Sequence, residues 1–207
     1  RGLAKKNFKE NTLKSFKYCF NKKYGIETDL HCTKDDIIIC FHDFSLKRKF
    51  KTNKSVKNLT FTEINKISNK FGYYIPKLEE LITISKNKRY LMLEIKSYFT
   101  KKNLIQLINQ TKKLKSFSIT SFNEKNIKNL SLLKKNLNLG LCFASTVPIR
   151  KIISKSKLKY VKIIVTEKKF LSSKKINLIN KPIYFYTARG KKIRKKYKEK
   201  NLIFENL

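Results

Sequence analysis

The sequence predicts an α/β fold of parallel strands closing as a (β/α)8 barrel, and three observations carry that prediction. Short apolar runs alternate with amphipathic stretches along all 207 residues, the rhythm of strand–helix–strand units whose crossovers keep neighbouring strands parallel. No G-x-G-x-x-G or Walker sequence follows the first strand-like run, where an open doubly wound sheet would place its phosphate turn. No internal repeat, Ser/Gly linker or break in composition marks a boundary. Residues 1–207 therefore read as one domain, near the lower end of the length range for such a barrel.

The elements follow in order. Leu13, Phe16 and Phe20 recur at helical spacing and predict a helix over Glu10 to Asn21. Tyr24 to Leu30 and Ile37 to Phe41 read as strands. Thr60 and Glu63 have the spacing of a capping box and open the next helix, and Pro76 ahead of Leu78, Leu81 and Ile82 starts another. Further strands are predicted at Tyr90 to Ile95, Ser116 to Thr120, Leu137 to Phe143, Tyr160 to Val165, Ile183 to Tyr186 and Leu202 to Phe204. Helices are predicted over Lys101 to Lys113, Asn123 to Lys135, Pro148 to Lys155, Lys168 to Asn180 and Lys191 to Lys198.

Composition bounds what such a fold does. Hydrophobic residues make up 41% of the chain and aromatics 12%, enough for a sizeable core and too much for a disordered basic tail. Lys or Asn interrupts every hydrophobic stretch well short of the roughly 20 residues a bilayer helix needs, so no transmembrane segment is expected. Fifty Lys and Arg against 14 Asp and Glu leave a charge of +36, which first suggests a nucleic-acid binder. Nearly all of that excess is Lys, spread from Lys5 to Asn206 among abundant Asn, and it reads as background composition, not as a recognition patch. Four cysteines show no C-x-x-C pair or zinc spacing and are expected as reduced thiols, mostly buried.

Against so basic a background the acids are informative. Glu27, Asp29, Asp35, Asp36 and Asp43 fall within seventeen residues, where an even spread would put about one. The only two histidines, His31 and His42, lie in the same window. Alternation along Y-G-I-E-T-D-L-H places Glu27, Asp29 and His31 on one face of a strand. Two carboxylates so placed repel unless a cation lies between them. Salt bridges to lysine meet that need, and so does a hard divalent cation such as Mg²⁺ or Ca²⁺ in an all-oxygen site. In Y-L-M-L-E-I-K, Glu94 and Lys96 share a face near the end of an apolar strand, where charges are paired or functional. Glu94 is placed to complete a three-carboxylate site, and Lys96 to neutralise a phosphate beside it. The run I-I-I-C-F-H-D delivers His42 and Asp43 just past a strand, where a histidine serves as general acid or base.

These stretches resemble the glycerophosphodiester phosphodiesterase family, whose members are TIM barrels of the PLC-like phosphodiesterase type. The resemblance rests on R-G at Arg1-Gly2, E-N-T-L at Glu10 to Leu13, E-T-D at Glu27 to Asp29, T-K-D-D at Thr33 to Asp36 and H-D-F-S-L-K-R from His42 to Arg48. It continues through L-T-F-T-E-I at Leu59 to Ile64, I-P-K-L-E-E-L at Ile75 to Leu81, L-E-I-K at Leu93 to Lys96 and S-F at Ser121-Phe122. It implies that Glu27, Asp29 and Glu94 bind the divalent metal, that Arg1 and Lys96 approach the phosphate, and that His42 is one of two acid/base histidines. Asn11 is read as structural.

The other histidine is expected immediately before Arg1, and His31 does not replace it. Gly is usual in the family where Asp36 stands. Tyr186 to Arg189 stands where W-T-V-N is common, and Phe204 to Leu207 where T-D-x-P is usual. The reading therefore expects a barrel lacking most of its first strand and its last helix. The expected activity is metal-dependent hydrolysis of a small glycerophosphodiester to glycerol 3-phosphate and an alcohol, in a cytoplasmic enzyme, with a periplasmic one as the alternative. Two alternatives stand beside it. One is a phospholipase C or D-like lipid phosphodiesterase on the same barrel, disfavoured by the short Phe44 to Leu59 connection. The other is a basic nucleic-acid or membrane-binding module, supported by the run Arg189 to Lys200.

Overall fold

The computed structural model describes residues 1–4 and 7–205. Asn206 and Leu207, which end the F-E-N-L stretch, lie outside the described residues. The chain divides into two compact units, 1–117 and 118–207.

In the first unit, helix α1 (Leu13–Asn21) starts at Thr12, whose side chain accepts from the Ser15 amide, and buries Phe16 and Cys19. Strand β1 (Ile26–Cys32) then turns through Thr33 to Asp36 into the short strand β2 (Ile38–Cys40). The two pair antiparallel, Leu30 opposite Cys40 and Cys32 opposite Ile38. This departs from the all-parallel expectation, because the connection has room only for a tight turn and parallel strands need a long crossover. Asp36 sits in that turn at φ 61°, a left-handed conformation that Asp tolerates better than most side chains.

The Phe44 to Leu59 connection is ordered by its own small core. Helix α2 (Lys47–Phe50), not anticipated from the sequence, buries Phe50. A 3-10 turn at Val56–Asn58 buries Val56. Leu46, Phe50, Val56 and Leu59 pack with Ile39, Phe41, Ile64, Tyr73 and Ile75. Helix α3 (Phe61–Asn69) opens with the expected capping box of Thr60 and Glu63. Helix α4 (Leu78–Ser85) begins two residues after Pro76. Strand β3 (Leu91–Ile95) pairs parallel with β1, Asp29 beside Glu94, and helix α5 (Lys101–Thr111) follows.

The second unit continues the alternation with β4 (Phe117–Ser121), α6 (Glu124–Leu133), β5 (Leu139–Phe143), α7 (Ile149–Ser156) and β6 (Ile163–Glu167). It closes with β7 (Ile183–Arg189), α8 (Lys191–Lys196) and β8 (Asn201–Glu205). Each of its consecutive strands pairs parallel with the next. The helix expected over Lys168 to Asn180 is instead two 3-10 turns, Lys168–Ser172 and Lys174–Leu178. Ser173, extended at φ −76° and ψ 116°, separates them; Phe170 and Ile176 still point inward. Three of the four cysteines are buried and all remain free thiols. No helix among the described residues is long and apolar enough to cross a membrane.

Candidate active site

Parallel pairing of β1 with β3 sets Asp29 directly beside Glu94, and the alternation of side chains brings Glu27 onto the same face. One carboxylate oxygen from each of Glu27, Asp29 and Glu94 lies within 4.8 Å of the others. Their side chains are 16%, 2% and 12% exposed, so the cluster is largely withdrawn from water yet reachable from it.

Basic groups sit against these acids. Nε of Arg1 lies 3.2 Å from Oδ2 of Asp29, and the Arg1 backbone nitrogen donates to the Glu27 carbonyl and lies 3.2 Å from its Oε2. Gly2 makes this approach possible: at φ 70° a Cβ would be strained and would collide with Ser15 Oγ on α1. Lys96 follows β3, where its amide donates to the Leu30 carbonyl. Its Nζ is 2.7 Å from Glu94 Oε1 and 3.5 Å from Asp29 Oδ1.

Protonation follows from this crowding. Burial first, then the charges of Asp29 and Glu27, push the Glu94 carboxyl up to about 8 against the opposing pull of Lys96. Apart from that ion pair, buried Oε1 of Glu94 has no hydrogen-bond partner. Lys96 is held above its ordinary range, because Glu94, Asp29 and Glu27 outweigh the burial that alone would lower it.

His42 follows β2, at the level of Asp29, whose carbonyl accepts from the Phe41 amide at 2.9 Å. Its Nδ1 is 2.6 Å from Oδ1 of Asp43. A carboxylate only accepts, so Nδ1 carries the proton and Nε2 is the ring atom left for other partners. His31 is 2% exposed, with Nε2 3.3 Å from the His42 carbonyl and its ring edge-on to Phe44. Burial lowers it to about 4, so it is neutral near pH 7 and serves as packing.

All six predicted site residues, Arg1, Glu27, Asp29, His42, Glu94 and Lys96, lie in the first unit. Three residues of the quoted motifs enter the same network without having been predicted to. Asn11, read as structural, is buried and spans Thr28, whose hydroxyl it accepts at 2.9 Å, and Asp29 Oδ2, to which it donates at 3.4 Å. It thus orients an acid of the cluster. Glu10 and Arg48 stand 38 positions apart and meet at 2.6 Å. The only signal available for them was membership of E-N-T-L and H-D-F-S-L-K-R.

The model of the Glycerophosphoryl diester phosphodiesterase family matches residues 1–193. The chain belongs to this family, and its fold class is the α/β TIM barrel of those enzymes. It is 30% identical over 152 residues to a glycerophosphodiester phosphodiesterase of Caldanaerobacter subterraneus, a match covering 67% of this chain and 63% of that protein. The matched region thus spans under two thirds of that relative's length. Among solved structures, a Thermotoga maritima glycerophosphodiester phosphodiesterase superposes with a TM-score of 0.79 at 18% identity, over 95% of this chain and 88% of that one. An Oleispira antarctica phosphodiesterase in complex with the product sn-glycerol-3-phosphate gives 0.80 at 16% identity, over 95% and 87%.

Proposed function

We propose that the protein is a phosphoric diester hydrolase cleaving glycerophosphodiesters to glycerol 3-phosphate and a free alcohol, with a divalent cation at Glu27, Asp29 and Glu94. The observation that carries this reading is the convergence of those carboxylates within 4.8 Å. An all-oxygen set of three largely buried acids fits a hard ion such as Mg²⁺ or Ca²⁺ better than a soft one. When bound, such an ion supplies Lewis-acid stabilisation of charge on a phosphoryl oxygen.

The remaining chemistry falls to side chains. Arg1 and Lys96 flank Asp29, and in this reading they bind the non-bridging phosphate oxygens and stabilise the charge that grows on them. His42, fixed through Nδ1 by Asp43, gives a proton from Nε2 to the departing alkoxide and ends the step neutral. In the H-R-G motif of the resembled family the complementary base, which takes the proton of the attacking nucleophile, is the histidine that precedes the arginine. The product bound to the Oleispira antarctica relative supports glycerol 3-phosphate as the retained half of the substrate.

The test is release of glycerol 3-phosphate from glycerophosphocholine, compared with cleavage of intact lipid vesicles. Turnover is expected on the soluble diester, with a loss of at least ~100-fold in excess chelator and in Glu94→Gln. Turnover untouched by either treatment would refute the metal assignment, and no hydrolysis of any soluble diester would refute the activity.

A further inference from the structure

Two residues in the quoted motifs, Glu10 and Arg48, have no role in the reaction described above, yet the structure ties both to groups that do. Arg48 Nε lies 2.6 Å from Asp43 Oδ2, and its Nη2 lies 3.1 Å from Asp43 Oδ1 and 2.6 Å from Glu10 Oε1. One guanidinium thus grips two carboxylates, a geometry that its planar fork of donors permits and a lysine ammonium does not reproduce. Each carboxylate reaches onward. Asp43 holds His42 Nδ1 at 2.6 Å. The second oxygen of Glu10 lies 3.6 Å from Arg1 Nη1, and Arg1 Nε is 3.2 Å from Asp29. The chain His42–Asp43–Arg48–Glu10–Arg1–Asp29 runs unbroken from the acid/base group to the carboxylate cluster.

The surroundings anchor this chain at Glu10 and at Arg48. The Glu10 backbone carbonyl accepts from the buried Tyr73 hydroxyl, and Lys49 Nζ is 3.1 Å from Glu10 Oε1. Arg48 rises from α2 between Leu46 and Phe50, both part of the small core beneath the loop. Burial raises the Glu10 and Asp43 carboxyls, and their bonds to Arg48, with Lys49 and His42 respectively, more than reverse it. Both are thereby kept ionised, as the grip requires.

We infer that Arg48, through its paired contacts to Asp43 and Glu10, is a positioning residue that fixes the tautomer of His42 and the placement of Arg1 together. The inference rests on the diesterase reading for its catalytic consequence, but not for its structural one. Without the guanidinium, Asp43 loses the partner that aims it at Nδ1, and Glu10 loses the partner that holds it beside Arg1. The imidazole is then free to exchange between its two neutral tautomers, only one of which, Nδ1–H held by Asp43, is the form in which His42 is left once it has given up its Nε2 proton.

The test compares the unaltered protein with Arg48→Gln and Arg48→Lys by ¹⁵N-edited spectra of the imidazole nitrogens, alongside glycerophosphocholine kinetics. With only two histidines in the sequence, buried His31 is the internal control for an intact fold. The expected result is a single Nδ1–H form of His42 in the unaltered protein and a mixture of both neutral tautomers in Arg48→Gln, with the His31 signals unmoved. Turnover in Arg48→Gln is expected to fall by about 10- to 100-fold, the scale of a misplaced catalytic group. Arg48→Lys, which keeps the charge but not the fork, recovers only part of that loss. An unchanged single tautomer in Arg48→Gln, with kcat within twofold, overturns the inference even in an active diesterase. Tautomer mixing in a protein that cleaves no diester upholds the inference and removes the diesterase reading instead.

Discussion

Glu94 shows how one residue links the site to stability. Its carboxyl rises to about 8 because burial and two neighbouring carboxylates outweigh Lys96. A group whose folded pKa lies above its unfolded value, here 4.5, contributes stability that is fully present below pH ~4.5 and lost as the pH rises through ~8. Metal-free protein is therefore expected to lose on the order of 2–4 kcal/mol across that window, and Glu94→Gln, which cannot ionise, is expected to lose far less. Thermal unfolding in chelator between pH 5 and 9 measures this. Added Mg²⁺ or Ca²⁺ is expected to restore the unaltered protein and leave Glu94→Gln unmoved; parallel curves for the two proteins would contradict the account. Glu27, Asp29, Glu94 and Lys96 were legible in the sequence because a strand alternates its faces. Glu10 and Arg48 were not, because contact across 38 positions is set by how α2 folds over its own core, and no local period encodes that.

At the scale of elements, the β1–β2 turn shows what local chemistry decides. Asp36 combines a left-handed backbone at φ 61° with bonds to Lys102 Nζ at 2.7 Å and Asn103 Nδ2 at 2.8 Å, which tie the turn to the start of α5. Replacing it by Gly or Ala removes the same two bonds, so the difference between the variants isolates the backbone. Asp36→Ala is expected to be less stable than Asp36→Gly by about 1 kcal/mol, since a Cβ is costly at positive φ and Gly is not. Chemical denaturation of the pair measures it, and equal midpoints would remove the strain argument. All eight expected strands are present, within a few residues at their ends, because β-branched and aromatic runs between polar breaks mark them. The failures have physical causes. Residues Lys168 to Asn180 have helical composition, but the extended Ser173 divides them into two short turns. The four-residue α2 is too short to show a period at all.

For the whole molecule, +36 on 207 residues sets a background of mutual repulsion within which a few acids hold specific positions. Lysine charges at the surface repel over the Debye length, ~10 Å at 0.1 M salt, whereas the buried contacts of Asp29, Glu94 and Glu10 are shorter and less screened. Salt should accordingly relieve more repulsion than attraction, and the melting temperature is expected to rise between 0.01 and 0.3 M NaCl at pH 7. A fall would mean that ion pairs, not repulsion, dominate. Acid acts in the opposite sense. Burial pushes Glu10, Asp43 and Glu124 up, and Arg48, Lys49, His42 and Lys155 pull them below their ordinary values, while Lys102 and Asn103 lower Asp36. Carboxyls depressed in the folded state contribute stability above their unfolded values of 4.5 and 3.8 that is lost as the pH falls through the folded ones. Each proton taken up also adds to a charge that is already large. The melting temperature in low salt is thus expected to drop steeply below about pH 4, and to do so at lower pH once 0.3 M salt screens the added charge. An acid midpoint indifferent to salt would show that the broken pairs alone, and not the accumulated charge, unfold the chain.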